Sequence, residues 1–208
     1  ANATTITVNF TPVNDEPTAS ATSTGGTSIN GSAADIFNTT AINVDTPDSG
    51  DLVASVTFTV SGLQDGAAEK INIDGSVIVL TQGQTALTVT NSMTYTVSVT
   101  AATATVVLTH AGLAEATVEA ALDAMTYENT SGSFHEGARV ITITQVKDDG
   151  DTANSGDNIW SAGAISSTVT VVDGTKPTGT NYTDSGNEDT PVSLSAPELP
   201  TAQDVGPV

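Results

Sequence analysis

The sequence predicts an all-β chain, built as a β-sandwich with one short helix, and three observations carry that prediction. Short runs rich in Val, Ile, Leu and Thr alternate apolar with polar residues, the period-2 pattern of half-buried strands. Gly, Asn, Asp and Pro punctuate these runs at the short intervals that a sandwich of many small strands requires. A single stretch, Ala-rich and free of Gly and Pro, carries helical spacing instead.

In chain order, Thr4 to Phe10 alternates and reads as a strand. It runs into Thr11-Pro12-Val13-Asn14-Asp15-Glu16-Pro17, where two prolines disfavour helix and mark a stiff extended joint. Strands are then expected at Val53 to Val60, Ile71 to Ile73, Val77 to Leu80, Ala86 to Thr90, Tyr95 to Val99, Ala104 to Leu108, Val140 to Val146 and Ser167 to Val172. Leu113 to Met125 places Val118 with Leu122 and Ala121 with Met125 at i, i+4, which predicts the helix covering one end of the sandwich. Its Glu115, Glu119 and Asp123 are expected on a solvated face. Beyond Val172 the chain turns polar and Gly-rich, with one weak strand at Val192 to Ala196. The expected organisation is residues 1–17 as the end of a preceding domain or a first strand plus linker, 18–173 as the main sandwich, and 174–208 as a linker and the start of a following domain. Residues 1 to 30 lack the charged and apolar regions of a signal peptide, so the sequence reads as an internal segment of a larger protein.

With 24 acidic residues against 4 Lys and Arg, the formal charge is −20, a field that opposes nucleic-acid phosphates and anionic lipid surfaces. No apolar run reaches the length of a membrane span, so no direct membrane insertion is expected. Cysteine is absent, which removes disulfides as staples and leaves metal as the alternative. The acidic residues are clustered on Gly-containing loops, where they repel one another unless neutralised. Asp carboxylates, Asn carbonyls and loop backbone carbonyls together supply the six to eight hard oxygens that Ca²⁺ takes.

Three such places are expected to bind Ca²⁺. The first is the loop Asp45, Asp48 and Asp51, joined by Glu69 and Asp74 if the Asp65-Gly66 turn folds back. The second is the joint, where Asn14, Asp15 and Glu16 are placed to share an ion between successive domains. The third is the loop Asp148, Asp149, Asp151, Asn154 and Asp157, which has neither the closing bidentate Glu nor the flanking helices of an EF-hand. Asn158 and the sole Trp, Trp160, follow that loop directly, and the indole either caps the edge of the sandwich or walls a pocket. A ligand site is therefore expected from Asp151, Asp157, Asn158 and Trp160.

Catalysis finds no constellation. There is no Cys, His110 and His135 share no motif, and neither a phosphate loop nor zinc spacing occurs, so the chain is expected not to be an enzyme. Arg139, the sole Arg, is expected to pair with a local carboxylate or to pack its stem on the sheet.

The order of motifs carries a resemblance. Val13-Asn14-Asp15-Glu16-Pro17, the acidic loop from Asp45 to Asp51 before a strand, Asp65-Gly66-Ala67-Ala68-Glu69, Leu122-Asp123-Ala124-Met125-Thr126-Tyr127-Glu128-Asn129, Arg139 to Thr144, Asp148-Asp149-Gly150-Asp151 and Ser167 to Val172 resemble the cadherin-like, immunoglobulin-like calcium-binding repeats of giant RTX-type bacterial adhesins exported by type I secretion. The likeness spans most of residues 4 to 172. One departure is Val172-Asp173-Gly174-Thr175-Lys176-Pro177, where such repeats carry Asn-Asp-x-Pro. What the resemblance implies is a secreted, extracellular, monomeric module on the bacterial cell surface, flanked by tandem neighbours and involved in attachment or biofilm formation. It also implies that some members bind peptides or sugars while others only extend the fibre. The reading adopted is recognition of a peptide C-terminal carboxylate through Ca²⁺. A non-binding extender and a carbohydrate-binding module recognising a surface glycan on another cell are the alternatives. Extra loops on a scaffold larger than the roughly 100-residue immunoglobulin module favour recognition. An aromatic content of 4% favours the extender.

Overall fold

The computed structural model describes residues 7–9, 11–23, 25–161, 163 and 165–174. The expected strand at Val192 to Ala196 and the start of a following domain lie outside these residues. Of the first expected strand, residues 7–9 are described and belong to no strand.

The elements in order are β1 (Thr18–Ser23), β2 (Gly26–Ile29), β3 (Ala34–Asp35), β4 (Phe37–Asp45), β5 (Val53–Ser61), β6 (Glu69–Ile73), β7 (Ser76–Val79), β8 (Thr85–Leu87), β9 (Thr94–Thr100), β10 (Thr103–Leu113), α1 (Glu115–Asp123), β11 (Thr126–Asn129), β12 (Gly137–Asp148), β13 (Ile159–Trp160) and β14 (Ile165–Val172). Among the described residues the chain is mostly β, with one α-helix. An eight-stranded sheet runs β2-β14-β12-β5-β10-β9-β8 with β13 paired to β12, a four-stranded sheet runs β3-β11-β6-β7, and β1 pairs with β4. Pairing is antiparallel except between β2 and β14.

Alternation does the folding in the large sheet. Val56, Phe58 and Val60 of β5, Ala104, Val106 and Leu108 of β10, Ile141 and Ile143 of β12, and Val169 and Val171 of β14 turn inward, all buried in one apolar cluster. Ile71 and Ile73 of β6, Ile78 of β7 and Tyr127 of β11 join that cluster from the smaller sheet. The strands at 18–45 and at 126–129 escape a periodicity argument because small and polar residues dominate them, and pairing with neighbours rather than local pattern makes them strands.

The helix is shorter than its spacing predicts, because Leu113 ends β10 and Ala114 is extended. Val118, Ala121 and Leu122 are buried as expected. The expectation of a solvated acidic face is overturned. Glu115 accepts the N–H of Thr46 at 2.5 Å and its hydroxyl at 2.6 Å. Glu119 accepts the N–H of Val44 at 2.8 Å, and Asp123 that of Ile42 at 2.8 Å. The reason is metric: four helical residues rise about 6 Å, and two strand residues rise about 6.6 Å. Carboxylates spaced i, i+4, i+8 therefore match alternate N–H groups on the free edge of β4, closing it against further pairing.

Arg139 is fully buried, as is Glu69, and the two form an ion pair at 2.5 Å. Tyr127 donates its hydroxyl to the same Glu69 oxygen at 2.8 Å, while the N–H groups of Gln64 and Asp65 donate to the other at 3.0 and 3.3 Å. Burial, with the neighbouring Glu69 carboxylate, pushes the Tyr127 phenol well above its ordinary range. Asp65 extends the network, taking the His135 ring at 2.6 Å, the His135 N–H at 2.9 Å and the Asn129 amide at 2.7 Å. Its burial raises its pKa, but these hydrogen bonds outweigh that and hold it below 3.8. A depressed carboxylate stabilises above its unfolded pKa and loses that contribution as pH falls through the folded value. Asp65→Asn is therefore expected to cost about 1.5–3 kcal/mol at pH 7, with the difference from the parent shrinking below pH 3.8 in urea titrations. A difference independent of pH would show that the charge is irrelevant.

Candidate metal centre

The three acidic places expected from sequence come together in part as one. Asn14 reaches across to the loop after β12, donating its amide to the Asp157 carbonyl at 2.6 Å and to Asp148 Oδ1 at 3.3 Å. The Asp157 N–H returns a bond to the Asn14 carbonyl at 2.9 Å. Asp15 donates its N–H to Asp48 Oδ2 at 2.6 Å, which ties the joint to the loop between β4 and β5. That loop in turn meets the 148–158 loop, where the Leu52 N–H donates to Asp149 Oδ1 at 2.7 Å and the Asp149 N–H to the Leu52 carbonyl at 2.8 Å. Gly150 permits the close approach: a Cβ there would lie 2.0 Å from Asn14 Oδ1.

Within this junction Asp148 is 1% exposed. Its Oδ1 accepts the Gly150 N–H at 2.9 Å. Among the described residues its Oδ2 and Asn14 Oδ1 are buried without a partner, which is costly for any oxygen and more so for a carboxylate. Burial pushes the Asp148 carboxyl up despite the hydrogen bonds from Gly150 and Asn14, and the charges of Asp51 and Asp149 push it further. Asp51 is raised by desolvation and by repulsion from Asp48, Asp149 and Asp151. Asp51 thus feels Asp48, Asp149 and Asp151, and Asp148 with its unpartnered oxygen feels Asp51 and Asp149. Among the described residues no three Asp, Glu or His side chains stand in a ready-made metal cage. The donor chemistry, carboxylates with an amide oxygen and loop carbonyls, nevertheless fits a hard divalent cation.

The remaining expected ligands are either exposed or already hydrogen-bonded. Glu69 is not available to metal, because both carboxylate oxygens are occupied by Arg139, Tyr127 and backbone N–H groups. Asp74 is likewise engaged by Thr88 and Asn91. Asp45 is exposed at the end of β4 opposite Thr18, and Glu16 is exposed on the joint. Asn154 is exposed in a left-handed turn with φ 55°. Asp151 and Asp157 are exposed, each accepting an N–H two residues on. Asn158 is buried and donates to the Gly150 carbonyl at 3.0 Å, closing the loop on itself.

Trp160 is 6% exposed, pairs with Val146 and belongs to the core. That burial accords with the capping alternative. Trp160→Phe is expected to lower stability by about 1–2 kcal/mol through an underfilled core. The urea midpoint reads this, and an unchanged midpoint would return the indole to a surface role.

Glu115 was missed as a neighbour of this centre. With Thr46, Asp48 and Asp51 it lines an open hollow of about 320 Å³, and only the helix-to-strand match brings it there. A larger open cleft of about 490 Å³ lies at the C-terminal half of α1, between Ala120 and Ala124, the Asp74-Gly75 turn, and Thr90 and Asn91. Comparison with protein-family models, with curated proteins and with solved structures gives no significant match for this chain.

Proposed function

We propose that the chain is a calcium-stiffened, cadherin-like β-sandwich module of a secreted bacterial surface adhesin, in which one Ca²⁺ locks the 14–16 joint onto the sandwich. The observation that carries this reading is the pair of buried, unpartnered oxygens, Asp148 Oδ2 and Asn14 Oδ1, surrounded by mutually repelling carboxylates. Asn14, Asp48, Asp51, Asp148 and Asp149 are the residues to hold the ion. Bound there, it supplies the positive charge that the −20 chain lacks and cross-links a segment that prolines alone leave free to bend. Asp151 and Asp157, exposed on the same loop, keep capture of a peptide carboxylate at that ion as the recognition function. The extender reading needs only the locked joint.

Titrating Ca²⁺ into chelator-stripped protein by calorimetry tests the centre. Saturable binding, weaker for Mg²⁺, is expected. Asp148→Asn should reduce affinity by at least about tenfold, or 1.4 kcal/mol. Parent protein that takes up no Ca²⁺ would end the proposal. Peptides with free and amidated C-termini, compared in Ca²⁺, separate carboxylate capture from the extender.

A further inference from the structure

We propose that Asn30-Gly31, in the turn between β2 and β3, is a site of spontaneous deamidation, and that its conversion to isoaspartate opens a clasp holding the chain where it leaves β14. The site does not depend on the proposed Ca²⁺.

Hydrogen bonds define the clasp. β2 runs parallel to β14 with Ile29 beside Val172, and the Asn30 N–H extends that pairing by donating to the Val172 carbonyl at 3.1 Å. The Gly174 N–H donates to Asn30 Oδ1 at 2.8 Å, and the Asp173 N–H to Glu136 Oε1 at 2.7 Å. Close packing demands glycine at 174, since a Cβ there would lie 2.3 Å from Ile29 Cγ2. Asp173-Gly174, where the sequence departs from Asn-Asp-x-Pro, is thus fastened by side chains of two separate loops.

The fold itself requires the labile dipeptide. The Ser32 N–H closes the turn on the Ile29 carbonyl at 3.0 Å, and φ is 51° at Asn30 and 78° at Gly31, the left-handed pair of a type I′ turn. Asparagine tolerates the first position. Only glycine fits the second, where a Cβ would lie 2.0 Å from the Asn129 carbonyl oxygen. Without a side chain at residue 31, nothing attached to Gly31 shields its nitrogen from the Asn30 amide, and among the described residues no hydrogen bond engages the Gly31 N–H. Asn30 is exposed, and this is the one Asn-Gly pair in the sequence.

The chemistry needs only water. The Gly31 nitrogen attacks Asn30 Cγ and forms a C–N bond, the Cγ–Nδ2 bond breaks, and Nδ2 leaves as ammonia with the proton that Gly31 gives up. Negative charge develops on Oδ1 as the new bond forms, and the Gly174 N–H already lies 2.8 Å from that oxygen. Water then opens the resulting succinimide. Attack at Cγ yields aspartate, whereas attack at the α-carbonyl carbon yields isoaspartate, with the main chain rerouted through Cγ. Isoaspartate adds a methylene to the backbone of a turn whose dihedral angles are fixed, which moves the Gly174 acceptor and the Val172 partner out of register.

The test is to age the whole folded chain in mildly alkaline buffer and follow its peptide map by mass spectrometry, with electron-transfer fragmentation to tell aspartate from isoaspartate. Conversion at Asn30 is expected to be at least about tenfold faster than at Asn154, which is also exposed and left-handed but is followed by Ser155. The isoaspartate form separates by ion exchange through its added negative charge. In it, amide exchange at Asp173 and Gly174 should be at least about tenfold faster than in the parent, with β5 and β12 unchanged. Freshly prepared Asn30→Asp keeps an acceptor on an ordinary backbone and should exchange like the parent. Asn30 intact after Asn154 has converted would overturn the modification site, and parent-like exchange at Gly174 in the isoaspartate form would overturn the clasp.

Discussion

Replacing Arg139 with methionine is expected to destabilise the protein by about 3–5 kcal/mol, because Glu69 is left charged, buried and without its ion-pair partner. Methionine fills much of the volume of the arginine stem, so the loss comes chiefly from stranded charge rather than from a cavity. The hydroxyl of Tyr127 and two backbone N–H groups remain on Glu69 and keep the penalty from growing further. Adding Glu69→Gln or Glu69→Leu to Arg139→Met should recover much of the loss, since a neutral pair no longer carries an uncompensated charge. Urea denaturation of the four proteins in a double-mutant cycle gives the coupling energy directly. Additive losses would mean that the pair is not a functional unit of stability.

Chelation of Ca²⁺ is expected to lower the melting temperature by about 5–10 °C, from about 2.7 kcal/mol per site at hundredfold saturation. A sharper test lies in the sign of one substitution. In chelator, Asp148→Asn should be as stable as the parent or more stable, because it removes a buried charge that Asp51 and Asp149 repel. In millimolar Ca²⁺ it should be less stable, because it removes a charged ligand. Identical parent melting curves in chelator and in Ca²⁺, or an Asp148→Asn effect of the same sign in both, would exclude a cation at this junction.

Composition and local spacing determined the class of this protein and the chemistry of its loops. Alternation at Val53 to Val60, Ala104 to Leu108 and Val140 to Val146 marks strands because a period of two buries one face whatever the partner strand is. Acidic residues massed on Gly-containing loops declare an electrostatic problem within a few residues of chain. Partnership was decided only by tertiary structure. Asn14 meets Asp148 across 134 positions, and Glu69 meets Arg139 across 70. No local pattern encodes either pairing, so Glu69 read as a metal ligand that the Asp65-Gly66 turn would bring beside Asp45, Asp48 and Asp51. The α1 carboxylates read as solvated because a helix taken alone shows its face and not the strand edge that the face covers. The polar strands from β1 to β4 belong to the same category: whether a backbone N–H is satisfied depends on which segment folding brings beside it.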